Sequence, residues 1–245
     1  MTLDAPVAAE TQRPARVVAL LSAPRLGFTD PLCLMAQVAA MGVELRKDSG
    51  AYWEQSMTRL LQRAVDDGFD LALTLDYDSV FRPGDVAYLL RLITMAPADV
   101  AAVFPVQYRR EGNEMIGRLL DADPSRGMPH LAPAQFGHFG LTFIRLSALR
   151  DLPHPWLWSQ PGANGRWDAP DKVDADIGFW NKLRGAGHRV CLAPRCVIGH
   201  LQQQITWPGT DYEPVHQYAG QYFRDGDAPR DVLEAAAQRA AKRES

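Results

Sequence analysis

The 245-residue sequence predicts an α/β domain built on a mostly parallel sheet flanked by helices, with a more mixed second half. Three observations carry that expectation. Apolar runs of strand length alternate with helical periodicity as far as residue 106. The composition, 47% apolar and 22% charged, suffices for a core and excludes a disordered or collagen-like chain. The apolar strand Leu71–Leu75 runs straight into two aspartates, at the strand end where open α/β sheets form their ligand crevice.

Residues 1–15 mix Pro, Ala, Thr and charge without a period and are expected to form a flexible arm. Arg16–Leu21 is a short apolar run stopped by Ser22, Ala23 and Pro24, as in a strand covered on both faces. Asp30 and Pro31 supply an N-cap and first helical residue for a helix closed by Gly42, and Val43–Leu45 is a second strand. Trp53, Met57, Leu60, Leu61, Ala64 and Val65 share one face of a helix that Gly68 ends. After Leu71–Leu75, the turn Arg82-Pro83-Gly84-Asp85 opens a helix marked by Val86, Leu89, Leu90 and Ile93, and Val100–Val106 returns as a strand. This alternation implies parallel strands joined by helical crossovers.

Beyond residue 106 the pattern changes. Gly112–Gln135 is rich in Gly, Pro and charge, Leu141–Leu146 reads as a strand, and Pro153–Pro170 is a long loop carrying Trp156, Trp158 and Trp167. Loops of that length are more often functional than idle. Ile177, Trp180 and Leu183 mark a helix closed by Gly185 and Gly187, followed by short strands at Arg189–Ala193 and Cys196–Ile198. Asp231–Lys242 is Ala-rich and charged, a peripheral helix or tail. The expected organisation is an arm (1–15), one domain (16–225) with halves at 16–106 and 107–225, and a peripheral segment (226–245).

With 26 Lys and Arg against 29 Asp and Glu, the charge of −3 offers no electrostatic case for holding duplex nucleic acid. Three cysteines, Cys33, Cys191 and Cys196, are too few for a disulfide framework, and residues 1–16 lack the apolar stretch of a secretory signal. A reduced, cytoplasmic protein is expected. The most apolar window, Leu89–Val106, is interrupted by Arg91, Pro97, Asp99 and Pro105, so no membrane span is expected.

The sharpest chemical feature is Asp76-Tyr77-Asp78. Two carboxylates two residues apart project from the same side of an extended backbone, where they can share one hard cation and its bound phosphates. An isolated pair of this kind is commonly two solvated loop aspartates, but the apolar strand ahead of it favours a ligand site. Val197-Ile198-Gly199-His200 ends a strand by exposing a histidine, whose neutral imidazole can complete a carboxylate site and tilt it from Mg²⁺ toward Mn²⁺. Asp174-Ala175-Asp176 precedes the Ile177 helix, where one carboxylate can cap the helix and the other can act as a general base. His188, Cys191, Cys196 and His200 can be written as a zinc quartet, but their spacings match no familiar finger, and Cys191 reads as an ordinary buried thiol.

In this order the motifs resemble those of the GT-A-type nucleotide-sugar glycosyltransferases, family 2-like, with a Rossmann-like core. That family carries D-x-D at the end of a β-α-β half, a later helix of the form (E)D-x-x-F/W…R…G, and a final strand delivering a histidine. The counterparts are Leu73-Thr-Leu-Asp-Tyr-Asp78, then Asp176-Ile-Gly-Phe-Trp-Asn-Lys-Leu-Arg184 with Gly187, then Gly199-His200. Ala175 departs from the pattern by standing where the family has an acidic residue.

The resemblance implies metal-dependent transfer of a sugar from a nucleoside-diphosphate donor, a UDP- or GDP-sugar, to an acceptor it does not identify. Residues 16–106 would be the nucleotide-binding half and 107–225 the acceptor half. Asp78 and His200 would ligate Mn²⁺ or Mg²⁺, with Asp76 supporting the metal or the donor ribose. The base and uridine-like portion would lie beside Ser22, Ala23, Pro24 and Arg25, and Arg59 would reach the same crevice or stay solvated on its helix. Gly137-His138-Phe139-Gly140 and the tryptophan loop would face the acceptor, although core packing explains the tryptophans equally well. Asp176, in preference to Asp174, would be the base for an inverting displacement, with the helix dipole lowering the pKa of both. Guidance of the acceptor by the donor phosphate would instead retain configuration. Two other readings stay open. In a haloacid-dehalogenase-type phosphohydrolase Asp76 would be the nucleophile and Asp78 the acid/base, though about seventy residues of β and α precede the motif here. A non-catalytic nucleotide-sugar-binding relative would have lost its base at Ala175.

Overall fold

The strand β1 (Val17–Ser22) pairs in parallel with β2 (Glu44–Asp48) on one side and with β3 (Leu71–Asp76) on the other. Val18, Ala19, Leu20 and Leu21 are all buried, as a continuous apolar run must be when both faces of a sheet are covered. The structure, a computed structural model, describes residues 14–22, 36, 38–109, 114–120, 130–150 and 152–244. Most of the expected arm, the expected helix start at Asp30 and Pro31, and Ala23, Pro24, Arg25 and Cys33 lie outside these residues. The charged edge strand β2 begins one residue later than the sequence suggested. Its charges blunt an edge that could otherwise pair with another chain.

Helix α1 (Trp53–Asp66) buries Met57, Leu60, Leu61 and Ala64, the face its spacing predicts. It stops at Gly68, whose φ of +69° is a left-handed conformation that a side chain would strain. After β3 come β4 (Ser79–Val80), α2 (Pro83–Met95) and β5 (Val100–Val106). Asp85 starts α2 firmly, accepting the Arg82 backbone N–H at 2.8 Å and its guanidinium at 2.8 and 3.0 Å.

The second half contributes β6 (Arg118–Leu119), β7 (Ala132–Phe136), β8 (Leu141–Arg145), α3 (Ala175–Gly185) and β9 (Arg189–Val197). Together these strands make one eight-stranded sheet in the order β2-β1-β3-β8-β5-β9-β7-β6. β1, β2, β3, β5, β6 and β9 run one way, and β7 and β8 the other. The expected mostly parallel sheet flanked by helices, with a more mixed second half, is therefore the observed one. Alternation along the chain does not reveal that β8 separates β3 from β5. On one face Val18, Leu20, Phe104 and Ile144 pack with α1 and α3. On the other, Ala19, Leu21, Val103 and Phe143 pack with α2.

Several expectations change. Gly112–Gln135 contains β6 and all but the last residue of β7, and β9 is one strand rather than two, with its pairing to β5 irregular between Ala193 and Val197. After β10 (Gly199–His200) comes a hairpin that the sequence pattern does not predict, β11 (Gln204–Pro208) and β12 (Pro214–Tyr218), followed by α4 (Ala219–Asp225) and α5 (Arg230–Glu244). The hairpin's alternation is short and its faces are only half-buried, so periodicity alone gave a weak signal. Pro153–Pro170 is the expected loop. Among the described residues, no helix is long and apolar enough to cross a membrane.

The link from β7 into β8 is tightly packed. A Cβ on Gly137 would lie 2.6 and 2.8 Å from ring carbons of Phe104. The His138 Nε2–H donates to the Pro105 carbonyl at 2.9 Å, while Nδ1 accepts the Gly140 N–H at 3.1 Å. Both roles suit the neutral imidazole. Burial pushes the His138 pKa down to about 4, outweighing the Pro105 hydrogen bond.

Two consequences are measurable. Gly137→Ala should cost about 1–3 kcal/mol through overpacking, read as a lowered Tm. Between the ordinary histidine value near 6.5 and about 4, the unfolded chain takes up a proton that folded His138 refuses. Stability should therefore fall as pH falls through that window, with His138 contributing up to about 1.4 kcal/mol per pH unit. Urea titrations across the window should show this slope flattened in His138→Gln; an equal slope in both proteins would contradict the assignment.

Candidate functional site

β3 ends at Asp76, in register with Ser22 of β1, which is itself level with Asp48 of β2. The carboxyl ends of three parallel strands therefore form one rim, the place where α/β sheets bind ligands. Ser22 is placed there by its backbone. Arg59 stands on the same flank, donating to Asp48 from Nε at 2.8 Å and Nη2 at 3.0 Å. That hydrogen bonding holds the Asp48 carboxyl below the usual range. Arg59 is not among the residues that line the crevice described next.

A crevice of about 480 Å³ opens beside this rim. Trp53 and Glu54 from the start of α1, Asp76 and Tyr77 from the end of β3, and Asp174, Ala175 and Asp176 from the start of α3 bound it. Ile116 and Ser159 complete the wall together with His138 and Phe139. Among the described lining residues there are four carboxylates and neither Lys nor Arg. Trp53, Glu54, Ile116 and Ser159 were not among the sequence candidates, since nothing local distinguishes them from ordinary helix and loop positions.

The crevice rests on an aromatic base. Phe139 meets Trp53 edge-on at 4.9 Å, Trp180 at 4.9 Å and Phe179 at 5.3 Å, locking α1 to α3. His138 and Phe139 are thus mostly core, with only their margins in the crevice wall. Of the loop tryptophans, Trp156 is buried, whereas Trp158 and Trp167 are exposed.

The two aspartates of α3 differ from expectation. Asp174 occupies the N-cap position without a side-chain cap bond, and Lys172 Nζ donates to its carboxylate at 3.0 and 3.3 Å instead. Asp176 accepts the Ile177 N–H at 2.8 Å. The expected lowering of its pKa is overturned: burial pushes it up, the Ile177 N–H opposes this, and Asp174 adds repulsion. Desolvation wins because the helix terminus supplies only a partial charge.

Asp78 and His200 are brought together. β4 pairs antiparallel with β10, placing His200 opposite Ser79, and the Leu201 N–H donates to the Asp78 carbonyl at 2.8 Å. The Asp78 side chain is 1% exposed and lies 3.4 Å from His200 Nε2. The expected exposed histidine is in fact largely enclosed, its side chain only 13% exposed. His200 Nδ1 contacts the Tyr108 carbonyl at 2.9 Å. A carbonyl only accepts, so Nδ1 carries the hydrogen, and in the neutral ring Nε2 turns a lone pair toward Asp78.

This arrangement fits a cation. A ligating histidine ordinarily donates its other N–H to a carbonyl, and cis ligands about 2.1 Å from an octahedral ion stand about 3 Å apart. The fit is that of a pair: among the described residues, no three His, Cys, Asp or Glu side chains form a metal-holding group. Asp76 is therefore not gathered with Asp78 and His200. Burial pushes the Cys191 and Cys196 thiols up to about 11 and about 12, which suits inert core cysteines rather than zinc ligands.

The chain is similar in fold to A197 from STIV, with a TM-score of 0.54 at 15% sequence identity over 82% of this chain and 94% of that one. A looser likeness, TM-score 0.48 at 11% identity, links it to GalNAc-T7 crystallised with UDP, GalNAc and Mn²⁺, over 78% of this chain and 44% of that one. CMP:2-keto-3-deoxy-manno-octonic acid synthetase complexed with CTP follows at 0.40 and 12% identity, over 75% and 91%. No protein-family model and no curated protein matches the sequence. At these identities what the chain shares with A197 is its α/β fold.

Proposed function

We propose that the protein is a divalent-metal-dependent glycosyltransferase, moving a sugar from a nucleoside-diphosphate donor to an acceptor hydroxyl. The observation that carries this reading is the Asp78–His200 pair, with Asp78 two residues after Asp76, which lines the crevice together with Asp176. Charge supports it as well. A diphosphate entering so acidic a crevice is repelled unless a cation accompanies it. Asp78 and His200 would hold Mn²⁺ or Mg²⁺, which supplies neutralisation of the charge that grows on the departing nucleoside diphosphate. Asp76 lines the crevice and would support the donor ribose. The rim at Ser22, continuing into Ala23, Pro24 and Arg25, would take the base.

Asp176 also lines the crevice, and burial makes its carboxylate more basic than an ordinary aspartate. In the inverting reaction the acceptor oxygen bonds to the anomeric carbon, its proton passes to Asp176, and the bond from that carbon to the diphosphate breaks. Lys172 engages Asp174, which favours Asp176 as the proton acceptor. The phosphohydrolase alternative gives no role to His200, which stands 3.4 Å from Asp78.

The pair is tested by calorimetry. Asp78→Ala should abolish Mn²⁺-dependent binding of UDP or GDP, and His200→Ala should weaken it by about tenfold or more. Unchanged binding in both variants would remove the site, and a protonated His200 paired with Asp78 would then explain the contact.

Asp176→Asn should leave donor binding intact and slow hydrolysis of UDP- and GDP-sugars by about 100-fold or more. Because burial raises the Asp176 pKa, ionisation at neutral pH costs the folded state more than the unfolded one, so the variant should melt at the same or a higher temperature. Near-normal turnover would reduce Asp176 to a hydrogen-bond acceptor at the helix start. Binding without hydrolysis by the parent chain would mark a non-catalytic relative.

A further inference from the structure

We propose that Gln107 is the positioning residue that sets the Asp78–His200 pair, an inference that rests on the metal-binding reading above. The two ligands lie on or directly beside very short strands, β4 continuing from β3 and β10 following β9. β3 and β9 are not neighbours: β8 and β5 lie between them in the sheet. Two residue pairs of antiparallel ladder are a marginal join for segments arriving from strands so far apart.

Gln107 directly follows β5, one of the intervening strands, and is only 2% exposed. Its Nε2 donates to Ser79 Oγ in β4 at 3.1 Å and to the Gly199 carbonyl in β10 at 3.2 Å. One amide thus ties both ligand-bearing strands to the sheet. Because a carbonyl oxygen cannot donate, the bond to Gly199 requires a nitrogen at this position. Ser79 is fully buried, where such a bond is stronger than in water.

Gly140, which leads into β8, leaves room for this amide. A Cβ there would sit 2.6 Å from Gln107 Oε1 and 2.7 Å from Ser79 Oγ. Losing the tie lets β4 and β10 slide relative to each other, and metal ligands tolerate displacements of only about 0.2 Å. Gln107 is too far along the chain from either ligand to be recognised as part of their motifs.

The test is calorimetric titration of the full chain with Mn²⁺ in the presence of UDP, with Tm measured in parallel. Gln107→Leu should weaken Mn²⁺ binding by about tenfold or more, and Ser79→Ala, which deletes one of the two bonds, by less. In the His200→Ala background, Gln107→Leu should weaken it little further, because the geometry it maintains has already lost a ligand. A merely structural glutamine would lower Tm equally in both backgrounds and leave Mn²⁺ affinity within about twofold. That result, or equal losses of affinity in both backgrounds, overturns the proposal. If Gln107→Leu does not fold, unchanged affinity in Ser79→Ala overturns it. Absence of Mn²⁺ binding by the parent chain removes the metal-binding reading together with this one, whereas parent binding with an unaffected Gln107→Leu removes only the positioning role.

Discussion

The arrangement at the carboxyl end of the sheet depends on β8 running antiparallel between β3 and β5. A strand entering there from the opposite direction must begin at the rim where its neighbours end, so residues 137–140 are packed against Asp76, Pro105 and Gln107. The Asp76 N–H donates to the Gly140 carbonyl at 3.3 Å, and Thr142 Oγ1 donates to the His138 carbonyl at 2.6 Å. These contacts make the rim rigid and explain why two glycines and a neutral histidine stand where larger or charged groups would not fit. The cost of desolvating His138 is offset by two hydrogen bonds of fixed polarity and by the Phe104 ring, edge-on at 5.4 Å.

Burial and pairing push the groups around this rim in opposite directions. Asp48 is kept ionised by Arg59, His138 is kept neutral by burial, and Asp176 is made more basic by the same effect. Environments that separate titratable groups in this way suit a site dividing structural, binding and proton-accepting tasks among similar side chains. The loop reaching the site from residue 153 is held at its base by the buried Trp156 and by the paired backbones of Gln160 and Val173. Ser159 is thereby delivered to the crevice next to the carboxylates of α3.

The sequence by itself determined the elements whose information is local. β1, β3 and β5 are mostly apolar runs, α1 shows its buried face in its spacing, and α3 is opened by aspartates and closed by glycines. The candidates Asp76, Asp78, Asp174, Asp176 and His200 were legible because carboxylates at a strand end or helix start stand out against apolar surroundings. Only the tertiary structure decided that β8 divides β3 from β5, that Asp78 meets His200 while Asp76 turns to the crevice, and that Arg59 belongs to Asp48. It also decided that Asp176 is raised rather than lowered, and that Gln107 touches Ser79 and Gly199. Each of these depends on contacts between residues distant in the chain or on the loss of water around a charge, and neither leaves a periodic mark in the sequence.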